Sequence, residues 1–233
     1  MSSRLASFRG PSTPTPSPVQ VKSQFKSPSS PARSTESTYH RKVRTYLQEL
    51  RTACRTWDDL VLVDGLKAIR SLIDARTELD NTLSALPDGK QPHSRIVGPK
   101  LSFMEDRIAE MDLVILKLRK QFQKMNSLVD GLEAVLTEAH KTKGWNWVQD
   151  EPLWTTWSLE KFVTSVSEIL RPYHRSLDLH IELVLILRTH SVSFEVSSDA
   201  LNRWIEQPWL EEHSWDAEWE DLCLAEIHLW DSR

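Results

Sequence analysis

The residues of this chain with bond-making potential are two cysteines, eight histidines and a crowd of carboxylates toward the C-terminal end. Cys54 shares a three-four spacing with Leu50 and Trp57, which makes it a small core residue rather than a nucleophile. Cys54 and Cys223 are too few for a disulfide framework and lack metal-ligand spacing, so the expectation is a reducing compartment. His174, His180 and His190 show no repeated i, i+4 pairing with other ligands, which argues against zinc. Gly98-Pro99-Lys100-Leu101-Ser102 lacks the first glycine and the preceding strand of a phosphate-binding loop. Asp216, Glu218, Glu220, Asp221 and Glu226 surround the apolar face set by Trp219, Leu222, Cys223, Ile227 and Trp230. Carboxylates this numerous form a solvated face, or an acidic, tryptophan-bearing docking surface for a basic partner. With no nucleophile–base set, phosphate loop or metal cluster, the expectation is a protein that is not an enzyme and takes no cofactor.

Covalent modification is a different matter. Residues 1–37 are rich in Ser, Thr and Pro, and Pro11, Pro14, Pro16, Pro18, Pro28 and Pro31 block helix and sheet ladders alike. That predicts a disordered basic tail over 1–37, followed by a helical domain over 38–233. Thr13, Thr15, Ser17, Ser27 and Ser30 each precede a proline and are candidate phosphorylation sites. Ser30-Pro31-Ala32-Arg33 has the S-P-x-R pattern that cyclin-dependent kinases favour. Each phosphate adds about −1.5 to −2 charges, against a net +7 over residues 1–44 from eight Lys/Arg and Glu36. A Ser/Pro-rich composition also yields such dipeptides unaided. A basic, acid-poor start suits a mitochondrial presequence too, although the prolines oppose its amphipathic helix.

The remaining residues carry 21 basic and 32 acidic side chains, and no Lys or Arg stands between Trp204 and Trp230. An acidic body of this kind argues against direct nucleic-acid binding, which needs clustered cations. The longest aliphatic run, Leu183 to Leu187, is far short of the roughly 20 residues that span a bilayer. No signal-peptide apolar stretch follows Met1. A soluble, intracellular protein without a membrane partner is expected.

Long helices must position these groups. From Leu101 to Leu136, apolar residues alternate at spacings of three and four through Met104, Ile108, Met111, Ile115, Leu118, Phe122, Met125, Val129 and Leu132. Side chains so spaced stack on one helical face. Val114, Leu128 and Val135 widen the stripe from a two-stranded seam to the face of a bundle helix. This central helix is expected to open near Pro99, with Ser102 and Glu105 at capping-box spacing, and to close at Lys143-Gly144. A first helix runs from about Tyr39 through Val43, Leu47, Leu50, Cys54, Trp57 and Val61. It changes phase near Asp64-Gly65, resumes through Leu72, Leu79 and Leu86, and ends at Pro87-Asp88-Gly89. A third starts at Ser158, keeps Leu159, Phe162, Val166, Ile169, Tyr173, Leu177, Ile181, Val184 and Leu187 on one face, and bends at Pro172. Two short helices follow, Asp199 to Gln207 and Ser214 to about Trp230. The predicted fold is all-α: three long antiparallel helices in a coiled-coil-like bundle, with short C-terminal helices.

Tryptophan is the remaining signal. Trp145, Trp147, Trp154 and Trp157 fall within 13 residues of connection, too much apolar surface to leave in water. Either the loop plugs one end of the bundle, or its indoles meet a partner.

Several stretches together resemble the cyclin-dependent kinase-interacting protein (CINP) family, over roughly residues 50–230. They are Trp57-Asp58-Asp59-Leu60, the heptad-like second helix, and Pro152-Leu153-Trp154-Thr155-Thr156-Trp157 before the third helix. Trp204-Ile205-Glu206-Gln207-Pro208-Trp209-Leu210-Glu211 and Leu222-Cys223-Leu224-Ala225-Glu226 complete the set. The chain departs from the family in its long Ser/Pro tail, in Trp rather than Tyr at 209, and in its acidic end. The resemblance implies a non-catalytic nuclear adaptor associated with cyclin-dependent and replication-initiating kinases and with checkpoint signalling. It also implies an accessory subunit of an AAA-ATPase assembly in replisome turnover and late large-subunit ribosome maturation, within a hetero-oligomer. Trp154, Trp157, Trp204, Pro208 and Trp209 are the candidate partner-binding residues. The alternative is a structural coiled-coil subunit of a kinetochore or tethering complex.

Overall fold

In the computed structural model, which describes residues 36–87, 94–211 and 224–228, the spacing from Val43 to Trp57 becomes helix α1 (Thr38–Asp59). The Ser37 hydroxyl caps it by accepting from the His40 amide at 3.4 Å. A π-helical segment (Leu60–Gly65) follows without a break and leads into α2 (Leu66–Ser84). A π turn spends one extra residue per hydrogen-bonded ring, and here the Leu66 amide reaches back to the Val61 carbonyl. The extra residue is the change of phase that Asp64-Gly65 predicts. It lets Val61 on one side and Ala68, Ile69 and Leu72 on the other bury together.

The central stripe forms α3 (Ser94–Lys143). Met104, Ile108, Met111, Ile115, Leu118, Met125, Val129 and Leu132 are buried, as are Val114, Leu128 and Val135. Side chains of this size contribute about 1.5–3 kcal/mol each on full burial. The helix opens one turn earlier than expected, at Ser94 rather than near Pro99, so Ser102 and Glu105 lie inside it and cap nothing. Pro99 removes a single amide donor, a loss confined to the first two turns, and Leu101 stays 36% exposed, outside the stripe. At the other end Gly144 takes φ 89°, a left-handed backbone that suits glycine, and its amide closes on the His140 carbonyl at 3.1 Å.

The connection after Gly144 contains a short helix, α4 (Trp145–Gln149). The third helix is broken rather than bent, into α5 (Leu159–Ser167) and α6 (Leu170–Leu187). Pro172 is the third residue of α6, where its missing donor would be unpaired in any case, so the interruption falls one turn before it. The apolar face survives the break: Leu159, Phe162, Val166, Ile169, Tyr173, Leu177, Val184 and Leu187 are all buried. Helix α7 (Phe194–Glu206) starts five residues before the expected Asp199 because Ser193 caps it, accepting from the Val196 amide at 3.3 Å. A four-residue turn, α8 (Pro208–Glu211), follows. Residues 224–228 are helical, whereas the expected start of that helix at Ser214 lies outside the described residues, as do Asp88-Gly89 and the tail.

Helices hold 86% of the described residues and none of these forms a strand, so the fold is all-α. Polar pairs tie α1 and the π-segment to α3. The Tyr39 hydroxyl meets Thr142 Oγ1 at 2.6 Å, Lys42 meets Glu138 at 2.6 Å, and Asp64 meets Lys117 at 3.1 Å. Arg188 pairs with Asp112, and His190 Nε2 lies 2.8 Å from Glu105, which ties the end of α6 and its loop to α3. Such exposed pairs set register more than they add stability.

Candidate interaction surfaces

Three places bring the singled-out residues together. In the first, the loop between α4 and α5 folds into the bundle end. The Leu153 amide bonds the Trp157 carbonyl at 2.7 Å, and Ser158 then caps α5. Trp154, 4% exposed, stands edge-on to Phe162 at 5.0 Å and to His40 at 5.7 Å. Trp157, half-buried, tilts against the same Phe162 ring at 5.2 Å and carries Lys161 over its outer face. The loop is therefore a plug, and Trp154 offers no surface to a partner.

Glu226 completes this end. Placed by the sequence among solvated carboxylates, it is instead buried. Its carboxylate accepts from the amides of Thr155 at 2.9 Å, Thr156 at 2.9 Å and Trp157 at 3.3 Å, and from the Thr156 hydroxyl. Thr155 Oγ1 donates to the Glu226 carbonyl at 3.1 Å. Burial alone would raise the Glu226 pKa, but the Thr156 hydroxyl and the three amides outweigh it and hold the carboxyl below its usual range. Asp216, Glu218, Glu220 and Asp221, expected beside it, lie outside the described residues.

The second place is the seat of Trp204, which is fully buried. Its indole N–H donates to the Val61 carbonyl of the π-segment at 3.0 Å. The ring lies where a Gly65 side chain would be: a Cβ there would stand 2.4 Å from Trp204 Cζ2. Next to it Trp57 Nε1 donates to Gln207 Oε1 at 3.1 Å, and Trp57 stands edge-on to Tyr173 at 5.1 Å. Trp204 is thus a pin between α7 and the π-segment and does not face outward.

His180, buried against Trp204 with ring centroids 4.4 Å apart, belongs to the same cluster. Its Nδ1–H donates to the Ser176 carbonyl at 2.5 Å. Burial pushes its pKa down to about 4, opposed only in part by hydrogen bonds to the backbone of Ser176 and Trp204. The ring is neutral in the folded chain at pH 7, whereas in the unfolded chain it takes up a proton near pH 6.5. Stability from this group is therefore complete above pH 6.5 and declines as pH falls toward 4, by about 3 kcal/mol in all. Urea titrations between pH 7 and 4.5 should show this slope, and His180→Gln should flatten it; an unchanged slope would place the linkage elsewhere.

The third place is exposed. Pro208 and Trp209 lie at the surface, and the Arg175 guanidinium sits 5.1 Å from the Trp209 ring centroid. A groove of about 320 Å³ runs between α3 and α6, lined by Asp112, Leu116, Arg119, Ile181, Leu185 and Arg188. Leu185 is 60% exposed, and Leu116 and Leu113 also reach solvent. Of the candidate partner-binding residues, Trp209 and Pro208 are open, Trp157 is half-covered, and Trp154 and Trp204 are interior. Thr13, Thr15, Ser17, Ser27 and Ser30 lie outside the described residues.

Sequence reasoning passed over Arg76, Gln207 and the clamp at Glu226. Arg76 stands between Leu72 and Leu79 at helical spacing, and Glu226 between Leu222 and Trp230. A charge standing in an apolar register is the signal that would have found both. Among the described residues, no three His, Cys, Asp or Glu side chains are grouped to hold a metal ion, and no helix is long and apolar enough to cross a membrane. Comparison with family models finds no match to this chain, and comparison with curated proteins finds none either.

Proposed function

We propose that the chain is a non-catalytic nuclear adaptor that joins cyclin-dependent and replication kinases to an AAA-ATPase assembly, in DNA replication, checkpoint signalling and large ribosomal subunit maturation. In this reading α1–α2, α3 and α5–α6 act as three antiparallel rods of a coiled-coil-like brace. What supports it is the segment Trp204–Glu211, one of the stretches that carry the family resemblance. Its first tryptophan is pinned inside, so the backbone is held while Pro208 and Trp209 are offered to solvent. An aromatic residue held on a fixed backbone loses little entropy on binding, which is why tryptophan dominates interface hot spots.

The test is affinity purification of the full chain followed by mass spectrometry. An AAA ATPase and a cyclin-dependent kinase should co-purify. Trp209→Ala should weaken the ATPase contact by roughly tenfold or more, the loss of one hot-spot side chain, while melting stays as in the parent chain. An eluate without ATPase or kinase ends this reading. The 50 residues of α3, a rod of about 75 Å, favour a second reading: a structural subunit of a kinetochore or tethering complex. That one predicts elongated helical partners and no ATPase.

A further inference from the structure

The loop that holds Glu226 keeps its shape by contacts of its own. The Leu153–Trp157 backbone bond, the Pro152–Ser158 bridge, the Ser158 cap and the stacking of Trp154 and Trp157 on Phe162 all fix residues 152–158. None of these involves residues 224–228. The amides of Thr155, Thr156 and Trp157 therefore converge whether or not Glu226 is present. Successive amides that converge in this way, one residue ahead of a helix start, bind anions, and the carboxylate seated on them is an anion.

Thr156 is exposed, in non-helical backbone, and its hydroxyl touches the Glu226 carboxylate that the amides hold. We propose that Thr156 is a phosphorylation site whose phosphate takes the place of the Glu226 carboxylate on these amides and so releases the turn 224–228. In the modification the γ-phosphoryl group of ATP passes to Thr156 Oγ. The Oγ–P bond forms, the bond from the γ-phosphorus to the β,γ-bridging oxygen breaks, the hydroxyl proton goes to the kinase's base, and ADP leaves. The product carries about two negative charges at the one point where the fold has buried another. Both anions cannot share three amides. The phosphate, tethered to its own residue, has the higher effective concentration there. The Glu226 carboxylate then has no donor inside and must return to water. Its departure uncovers the Thr155–Trp157 edge of the plug and frees the turn 224–228, whose Ile227 packs against the core. This holds whether or not the adaptor reading does, since it concerns only this chain's own groups.

Hydrogen exchange on the full chain tests it, with phosphothreonine inserted at position 156 during translation. Amides of residues 224–228 should exchange tenfold faster or more, while those of Thr155–Trp157 stay slow and those of the π-segment do not change. Thr156→Val, which removes one hydrogen bond but leaves the three amides on the carboxylate, should speed exchange at residues 224–228 less than phosphate does. Glu226→Gln should free the same residues, and phosphate added in that background should free them no further. Unchanged exchange at 224–228 in the phosphorylated chain overturns the proposal. So does a rise spread evenly over all helices, or an effect of Thr156→Val as large as that of phosphate. Mapping of the chain from phosphatase-inhibited cells should yield the phosphorylated peptide spanning Thr156; full coverage without it removes the site.

Discussion

A Trp204→Ala chain should lose about 3–5 kcal/mol of stability, the range for deleting a fully buried large aromatic side chain. Two losses add here. The indole leaves a cavity over Gly65, and the Val61 carbonyl loses the donor at 3.0 Å that the ring supplies. The partner test is sharper. Gly65→Ala places a methyl group 2.4 Å from Trp204 Cζ2, so the ring or the helix must move, at about 1–3 kcal/mol. In the Trp204→Ala background that clash is gone and alanine is the better helix former by about 1 kcal/mol. The same Gly65→Ala change should then be neutral or stabilising. Urea titrations of the two single variants and the double variant measure the coupling. A Gly65→Ala cost that persists without the indole would show that the π-segment, and not the ring, needs glycine.

Arg76→Met should cost about 3 kcal/mol, because one buried guanidinium serves three acceptors on two elements. Nη1 donates to Ser197 Oγ at 2.8 Å, and Nη2 to the carbonyls of Leu187 at 2.9 Å and Thr189 at 3.2 Å. The Leu187 carbonyl is an orphan at the end of α6, where a cation also suits the helix dipole, and the Thr189 carbonyl, in the loop just beyond, also accepts from the Val192 amide at 3.4 Å. Burial lowers the Arg76 pKa, with Asp80 opposing, yet a guanidinium keeps its charge at neutral pH. Methionine fills most of the volume and leaves the Leu187 carbonyl and the Ser197 hydroxyl without the donors they have in the parent chain. Arg76→Lys keeps a charge but not the fork, and should recover only part of the loss. Denaturation measures the cost, and hydrogen exchange should place the first loosening in α7, which holds both Ser197 and Trp204. Equal loosening in α3 would contradict that order.

The apolar registers were legible because each had only one way to be buried. From Met104 to Leu132 the three-four spacing on α3 needs a wide covered face, and the structure gives it one. The change of phase near Gly65 is legible because Leu72, Leu79 and Leu86 fall one heptad position off the register of Val43, Leu50 and Trp57. Boundaries were less so. The usual place of proline at a first helical turn puts the start of α3 near Pro99, but the chain tolerates one lost donor there and continues back to Ser94. Pro172 predicts a bend where the structure has a break before α6, since sequence tells that a proline must be accommodated and not which turn gives way.

The tryptophans divided in a way that spacing alone does not decide. Trp204 and Trp209 stand five residues apart in the same segment, and Trp204 is the interior one, seated over Gly65, on the Val61 carbonyl and against His180. Arg76, His180 and Glu226 all occupy positions of apolar stripes, and each became a buried polar hub in place of a solvated group. The partners of Arg76 and Glu226, Ser197 and Thr156 among them, lie far away in the chain, so no local pattern names them.

Gln207 is the one residue other than glycine with positive φ among those described, at φ 40° and ψ 57° between α7 and α8. Two demands meet at that codon and point to different amino acids. The backbone would be eased by glycine or asparagine, which enter left-handed space with least strain. The acceptor for Trp57 must reach across from that backbone, which glycine cannot do and asparagine, one methylene shorter, does poorly. Drift at this position is therefore caught between two fitness slopes, and glutamine is the compromise that satisfies the reach while tolerating the twist.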